Sequence, residues 1–222
     1  MKRGFLLDLD GTLIDSNLAH LTAWHIALAE LGHDIPPRRI AFEIGKGGDK
    51  LVPDLLGRNV EKREGNRLRT RQKKAFGILA GRHGLAPAPG AKALLAELRK
   101  RGIKTALATS SGDDTLGIAE HASGVKWRSL VDEVVGGSDV ESSKPAPDII
   151  EAAVEKLGLD ADDCAMLGDT PWDSLAAKRG GVVSVGLTFG GNTVAALRRA
   201  GARQVYRDPA DVLLHLDEVL AD

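Results

Sequence analysis

Acidic side chains end two short apolar runs of this sequence. Asp8 and Asp10 close the first run, and Asp169 closes a later one, with Asp173 one helical turn beyond it. Carboxylates that converge on one point repel each other unless a hard cation lies among them. Carboxylate oxygens suit Mg²⁺, which favours octahedral oxygen coordination. If the fold brings these residues together, the sequence therefore predicts a magnesium site.

Hydroxyl and ammonium groups follow other apolar runs. Thr109 and Ser110 come directly after one of them, and Lys144 opens the segment between a further run and a helix. A hydroxyl, backbone amides and a lysine placed opposite a cation form a cradle for a phosphoryl group. Asp8 and Asp10 lie two residues apart, so on a strand they share one face. One carboxylate is then placed to attack phosphorus while the other handles the proton of the leaving group, as in phosphoryl transfer through an aspartyl-phosphate.

The chain alternates short apolar runs with amphipathic helical stretches. Five runs are predicted as strands buried on both faces of a parallel sheet, at residues 5–9, 103–108, 131–135, 164–167 and 182–185. Helices are predicted at residues 91–101, 148–157, 172–179 and 209–220. The alternation predicts an α/β fold with a doubly wound parallel sheet. In such a sheet the ligand crevice lies at the carboxyl ends of the strands, where the polar residues stand.

Residues 16–85 break this rhythm, because they contain no strand candidate and show only helical periodicity. We predict a helical cap domain there, inserted into an α/β core formed by residues 1–15 and 86–222. Between Arg58 and Arg82 the insertion carries nine basic residues and two acidic ones. A solvated helix face is the favoured interpretation of this charge. Attraction of an anionic substrate toward a cleft under the insertion is the alternative.

Four segments resemble, in order, the sequence motifs of the haloacid dehalogenase superfamily. They are DLDGTLIDS, ATSS, SKPAPDI and GDTPWDSLAAKRGG, which begin at residues 8, 108, 143 and 168. The insertion after the first motif resembles the helical cap of the subfamily that holds phosphoglycolate phosphatases and β-phosphoglucomutases. The resemblance implies the fold of that superfamily and a Mg²⁺-dependent phosphatase that acts on a small phosphorylated metabolite.

The resemblance implies distinct roles for the two acids of the first motif. Asp8 is expected to be the nucleophile and a Mg²⁺ ligand. Asp10 is expected to be the general acid and base, and to give its backbone carbonyl to the metal. Dehalogenases of the superfamily lack the second acid, since a halide leaving group needs no proton. The presence of Asp10 therefore disfavours dehalogenation.

The resemblance assigns the remaining motifs to the phosphoryl group and the metal. Thr109 is expected to hydrogen-bond the phosphoryl oxygens, with the amide of Ser110 nearby. Lys144 is expected to neutralise the charge of the nucleophile and of the phosphoryl group. Asp169 is expected to bind the metal directly, and Asp173 directly or through water.

His20 and Trp24 lie four residues apart on the first predicted helix of the insertion, so they share a face. A tryptophan there is most often part of an apolar core, but the spacing resembles that of β-phosphoglucomutases, in which the equivalent histidine assists proton transfer. His20 is thus a candidate substrate contact, as are Lys46 and Lys50 in the loop GKGGDK. A phosphosugar mutase is the alternative function. Gly168 favours the phosphatase, because the mutases have a second acid at this place.

Composition excludes several classes of protein. Thirty lysines and arginines against 31 aspartates and glutamates give a net charge of −1, which does not indicate nucleic-acid binding. No stretch approaches the roughly 20 apolar residues of a membrane span, and the single cysteine, Cys164, suits a reducing compartment. We therefore predict a cytoplasmic monomer or homodimer that acts on phosphoglycolate or a sugar phosphate. A non-catalytic protein on the same fold is a further alternative, against which the intact nucleophile and acid argue.

Overall fold

The computed structural model describes residues 1–221, and a parallel sheet of six strands lies at its centre. The strands are β1 (Gly4–Leu7), β2 (Lys104–Ala108), β3 (Glu133–Val135), β4 (Cys164–Gly168), β5 (Val183–Leu187) and β6 (Ala202–Tyr206). Their spatial order is β3-β2-β1-β4-β5-β6, and every neighbouring pair is parallel. This arrangement confirms the predicted doubly wound α/β fold.

Four helices lie between β1 and β2: α1 (Asn17–Glu30), α2 (Pro37–Glu43), α3 (Gly48–Leu56) and α4 (Arg58–His83). They enclose an apolar cluster of their own, which includes Trp24, Leu28, Ile40, Leu51 and Leu68. The two chain connections to the sheet run side by side, since the Asp15 amide donates a hydrogen bond to the Ala86 carbonyl at 2.9 Å. Other apolar residues of these helices, among them Ala23, Ala75 and Phe76, belong to the apolar cluster of the sheet, so the insertion also packs against the core.

The other helices cover both faces of the sheet. They are α5 (Ala91–Lys100), α6 (Asp113–Ser123), α7 (Asp148–Leu157), α8 (Pro171–Arg179), α9 (Val194–Ala200), α10 (Pro209–Leu214) and α11 (Leu216–Ala221). Successive side chains of a strand point to opposite faces, so Phe5 and Leu7 of β1 join one apolar cluster and Leu6 joins another. Within residues 1–221, no helix has both the length and the apolar character that crossing a membrane requires.

The structure differs from the sequence predictions in several places, and one is α6, which none of the predicted helices covers. β6 is an edge strand that the sequence pattern misses, because Arg203 and Gln204 interrupt its apolar run. α9 is missed as well, since seven residues carry little periodicity. The helix expected at residues 209–220 is two helices that meet at His215. Nδ1 of His215 donates to the Asp211 carbonyl at 2.9 Å, and so occupies the acceptor that the His215 amide would use if the helix continued.

Candidate active site

Three buried carboxylates converge at the carboxyl ends of two neighbouring strands. Asp8 follows β1, Asp169 follows β4, and Asp173 lies in the first turn of α8. Because β1 and β4 are parallel with Leu7 opposite Leu167, the residues directly beyond them arrive side by side. One oxygen of each carboxylate lies within 4.8 Å of those of the other two. The structure therefore brings together three of the four residues predicted to bind metal.

The sequence around Asp173 fixes the orientation of its side chain. Thr170 is the N-cap of α8, and its hydroxyl accepts a hydrogen bond from the Asp173 amide at 3.3 Å. In return, Oδ2 of Asp173 accepts hydrogen bonds from the Thr170 amide at 2.9 Å and the Thr170 hydroxyl at 2.6 Å. This capping box occupies Oδ2 and leaves Oδ1 of Asp173 for the carboxylate cluster.

Lys144 lies among these carboxylates with its side chain completely buried. Its Nζ is 2.8 Å from Oδ1 of Asp8 and 2.7 Å from Oδ1 of Asp173. Burial by itself lowers the pKa of an ammonium group, but the charges of Asp173 and Asp8 outweigh it and raise the pKa of Lys144 above its ordinary value. Lys144 is therefore positively charged beside Asp8, the expected nucleophile.

The charges of the cluster fit a divalent cation. Three carboxylates face one ammonium group, so two negative charges are unbalanced when all the groups are ionised. Burial is the main reason why the pKa of Asp8 rises to about 7, although Lys144 acts in the opposite direction. Burial and the neighbouring carboxylates also raise the pKa of Asp169 well above its ordinary value. A cation with a preference for oxygen ligands, such as Mg²⁺, would supply the missing charge, held by Asp8, Asp169 and Asp173.

The side chain of Asp10 lies apart from this cluster. Its Oδ1 accepts hydrogen bonds from the Ser16 hydroxyl at 2.6 Å and from Nε2 of His20 at 3.0 Å, and its Oδ2 accepts one from the Ser111 hydroxyl at 2.9 Å. Burial alone would raise the pKa of Asp10, but the charge of His20 and these three hydrogen bonds lower it to about 2. Any part of Asp10 in metal binding is thus left to its backbone carbonyl, as the resemblance implies.

His20 connects Asp10 to the helix on the far side of the insertion. The imidazole is buried and stacks on the Phe76 ring with a centroid distance of 4.0 Å. Its Nδ1 lies 3.2 Å from Nε2 of Gln72. Because a carboxylate oxygen can only accept, Nε2 of His20 carries a proton and donates the hydrogen bond to Asp10.

Thr109 and Ser110 line a cavity of about 370 Å³ together with Asp8 and Asp10. Thr109 is fully buried at the end of β2, and its Oγ1 accepts a hydrogen bond from the Ser111 amide at 3.1 Å. The Ser110 hydroxyl donates to the Gly45 carbonyl of the insertion at 3.2 Å. The strand end that the sequence predicts to bind phosphate therefore opens into the same cavity as the two acids.

The two lysines expected to contact substrate lie in different surroundings. Lys46 lines the cavity, but its Nζ pairs with Glu43 and with Asp54, and it lies 3.9 Å above the centre of the Trp172 ring. Lys50 is not among the residues that line the cavity, and its Nζ donates to the Ser142 hydroxyl at 3.0 Å. The structure thus brings Lys46, and not Lys50, to the cavity that contains Asp8.

One face of α4 supplies cavity residues that the sequence analysis does not single out. Asn66, Arg69, Thr70, Gln72 and Lys73 all line the cavity. Most of them lie three or four positions apart, which places them on one helix face, but the sequence does not indicate that this face turns toward the cavity. The other seven basic residues between positions 58 and 82 are exposed. The basic charge of the insertion is therefore divided between a solvated surface and the cavity wall.

Comparison with known proteins identifies the family. The family model for haloacid dehalogenase-like hydrolases matches residues 2–181. A phosphoglycolate phosphatase of Yersinia pseudotuberculosis is 31% identical over 223 residues, which cover 95% of this chain and 91% of that protein. The crystal structure of a hydrolase from Pseudomonas syringae has a TM-score of 0.91 at 37% identity, over 98% of this chain and 99% of the other. A β-phosphoglucomutase of Clostridium difficile, 18% identical with a TM-score of 0.83 over 100% of this chain and 98% of that one, shares the fold. The chain therefore belongs to the haloacid dehalogenase-like hydrolase family and is a phosphatase-type enzyme of that family.

Proposed function

We propose that this protein is a Mg²⁺-dependent phosphatase that hydrolyses a small phosphorylated metabolite through an aspartyl-phosphate on Asp8. The observation that carries the proposal is that Asp8 and Asp10, although only two residues apart in the sequence, have different surroundings. Asp8 lies in the buried acidic cluster with Lys144, whereas Asp10 is outside that cluster and is held by Ser16, His20 and Ser111. One carboxylate is thus placed for nucleophilic attack and the other for proton transfer.

In the first step an oxygen of the Asp8 carboxylate forms a bond to phosphorus as the bond between phosphorus and the ester oxygen breaks. Asp10 gives its proton to the departing alcohol, and the negative charge of the arriving phosphate favours the protonated form of Asp10. Lys144 offsets charge at Asp8, and Thr109 offers its hydroxyl to the phosphoryl oxygens. When bound, Mg²⁺ supplies positive charge against the negative charge of the transferring group.

In the second step Asp10 acts as a base. It takes a proton from water, whose oxygen attacks phosphorus, and the bond to the Asp8 oxygen breaks to release inorganic phosphate. The three hydrogen bonds from Ser16, His20 and Ser111 favour the ionised form of Asp10, which is the form that this step needs. The network around Asp10 therefore supports the part of Asp10 as the base of this step.

The cavity also supports a substrate with a second anionic group. Its charged lining residues beyond Asp8 and Asp10 are Lys46, Arg69 and Lys73, and His20 lines it as well. Glu61 and Asp114, which pair with Arg69 and Lys73, are not among the lining residues. A carboxylate or a second phosphate at the end remote from the ester fits this wall, so we propose phosphoglycolate or a sugar phosphate as the substrate. The phosphoglycolate phosphatase among the relatives is consistent with the first of these.

A phosphosugar mutase is the second candidate, favoured by the contact between His20 and Asp10. Gly168 argues against it. A Cβ atom at this position would overlap the side chain of Asp173, which already fills the space. A second acid at position 168, as the mutases have, therefore does not fit unless Asp173 gives way. This close contact supports transfer of the phosphoryl group to water.

A panel of phosphorylated metabolites tests the proposal. We expect the wild-type protein with Mg²⁺ to release inorganic phosphate from at least one member, and a chelator to abolish the release. Asp8→Asn removes the nucleophile and should abolish it too, whereas Asp34→Asn, at an exposed carboxylate of the insertion, should not. Isomerised sugar phosphate with little free phosphate would instead establish the mutase, and equal activity of Asp8→Asn would refute the proposed nucleophile.

The cellular setting forms part of the same proposal. Cys164 is a free cysteine buried in β4. A free thiol suits a reducing compartment. We propose a cytoplasmic enzyme that works as a monomer or homodimer. Size-exclusion chromatography with light scattering, on the purified protein, measures the oligomeric state directly.

A further inference from the structure

Asn17 contacts the carboxylate cluster from outside the four sequence motifs to which the resemblance assigns roles. It is the first residue of α1 and lies at the start of the helical insertion. Its Nδ2 donates hydrogen bonds to Oδ2 of Asp169 at 2.8 Å and to the Gly190 carbonyl at 3.0 Å. Both partners are acceptors, so the amide nitrogen, and not the amide oxygen, must face them.

This contact completes the support of the Asp169 carboxylate. Its other oxygen, Oδ1, accepts a hydrogen bond from the Thr12 hydroxyl at 3.2 Å. Thr12 and Asn17 therefore hold one oxygen each and fix the plane of the carboxyl group. Groups that orient a metal-binding side chain in this way strongly affect how well the metal is bound.

The loop after β5 packs against Asn17 and Asp169. A Cβ atom at Gly190 would overlap both Oδ2 of Asp169 and Nδ2 of Asn17. The backbone of Gly190 thus packs directly against the pair, and its carbonyl accepts the second hydrogen bond of the Asn17 amide. Asn17, Asp169 and Gly190 come from three separate segments of the chain that meet at this point.

The remaining atom of the Asn17 amide has a less favourable environment. Within residues 1–221, Oδ1 of Asn17 is buried without a hydrogen-bond partner. A buried acceptor without a donor opposes folding, which offsets part of what the two donors contribute to stability. The contribution of Asn17 lies in the two donors that it directs at Asp169 and Gly190.

We propose that Asn17 is a positioning residue that holds the Asp169 carboxylate in the orientation needed to bind the divalent cation. The inference rests on the proposed function, since it concerns the metal site of that enzyme. It adds a residue of the insertion to a site whose other members follow the strands of the sheet. The position of α1 and the geometry of the metal site are thereby linked through one side chain.

Titration calorimetry of Mg²⁺ into the metal-free protein tests the inference without any substrate. Asn17→Ala and Asn17→Leu both remove the two donors, and leucine keeps the number and branching of the side-chain heavy atoms. We expect either variant to bind Mg²⁺ about tenfold or more weakly than the wild type. Thr22→Ala is the matched control, because Thr22 lies on the same helix and its hydroxyl donates only to the Leu18 carbonyl; it should bind Mg²⁺ as the wild type does.

Two further measurements separate positioning from structural damage. The metal-free Asn17 variants should remain folded, although their thermal unfolding midpoint should fall, because Oδ2 of Asp169 and the Gly190 carbonyl each lose a hydrogen-bond donor. In assays, the Mg²⁺ concentration needed for half-maximal activity should rise, while kcat at saturating Mg²⁺ largely recovers.

The outcomes distinguish this inference from the proposed function. If the wild type binds Mg²⁺ and both Asn17 variants bind it with the same affinity, the inference alone is overturned. Loss of the folded metal-free state in both variants would show a structural role and would overturn it as well. A wild-type protein that binds no Mg²⁺ would overturn the proposed function, and this inference with it.

Discussion

At the scale of single residues, the same side-chain type acquires opposite properties two positions apart. Asp8 is buried beside Lys144 and other carboxylates, and burial raises its pKa to about 7. Asp10 is buried too, but His20, Ser16 and Ser111 direct three donors at it, and its pKa falls to about 2. The environment of each carboxylate, and not its residue type, therefore separates the proposed nucleophile from the proposed acid and base.

Asp10→Asn tests that division of roles. The amide keeps the size of the side chain but neither gives nor takes the proton, so we expect the rate of phosphate release to fall about 10² to 10⁴-fold. The measurement is kcat with the best substrate of the metabolite panel, with Asp34→Asn as the control at an exposed carboxylate. A variant with near wild-type kcat would show that Asp10 does not transfer the proton.

Lys144→Met tests the charge balance of the buried cluster. Removing the ammonium group leaves Asp8 and Asp173 without their shared partner, and breaking a buried ion pair in this way costs about 3–5 kcal/mol. We expect the metal-free variant to lose that much free energy of unfolding in urea at neutral pH, and Mg²⁺ to restore part of it. Lys126→Met, at an exposed lysine, is the matched control and should change little.

The sequence predicts the carboxylate cluster better than the cavity wall. Asp8 and Asp169 are predictable because they directly follow parallel strands, which end at one edge of a sheet whatever the details of packing. Lys50 illustrates the opposite case. Its direction depends on how the insertion sits on the sheet, and in the structure it contacts Ser142 and not the cavity. The role of Asn17 is equally hard to predict from the sequence, because its two acceptors lie 152 and 173 residues away along the chain.

At the scale of elements, one face of α4 lines the cavity and another face is exposed to solvent. Arg69 and Lys73 line the cavity, while neighbours such as Lys74 are exposed. Helical periodicity alone does not predict which face of α4 turns inward, because basic residues occur all around the helix. The same limit explains why the sequence leaves open whether the charge of the insertion is a solvated surface or part of the site. In the structure it is both.

Lys73→Ala and Lys74→Ala form a matched pair for this element. If Lys73 contacts the second anionic group of the substrate, its loss removes a charged hydrogen bond, and KM should rise about tenfold with little change in kcat. The ion pair of Lys73 with Asp114 is exposed and contributes little to stability, so folding should be unaffected. Lys74→Ala should leave KM unchanged. Equal KM values for both variants and the wild type would remove Lys73 from the substrate site.

At the scale of the whole molecule, metal binding should make stability depend on pH. The folded-state pKa of Asp8 is about 7 without metal, above its ordinary value of 3.8, so folding without metal favours the protonated form. This stabilisation is present below pH 3.8 and is lost as the pH rises through about 7. Mg²⁺ binds the ionised form and must displace any proton. Its stabilising effect should therefore be larger on the alkaline side of that range than on the acidic side.

Thermal unfolding with and without Mg²⁺ checks this dependence. The increase in Tm caused by Mg²⁺ should be clearly greater at about pH 8 than at about pH 5, since at the lower pH protons compete for the carboxylates. Asp169→Asn, which removes one ligand, should reduce the increase at both values. An increase that is the same at both pH values would contradict a metal site made of carboxylates with raised pKa values.

The central claim, covalent transfer of phosphate to Asp8, is tested most directly by trapping the intermediate. Protein turning over a radiolabelled phosphate ester with Mg²⁺ is quenched in acid, and the labelled peptide is mapped by mass spectrometry. We predict that the label lies on Asp8, that it disappears in Asp8→Asn, and that it accumulates in Asp10→Asn if its hydrolysis is slowed more than its formation. Label on a different residue, or phosphate release by Asp8→Asn at the wild-type rate, would contradict the account.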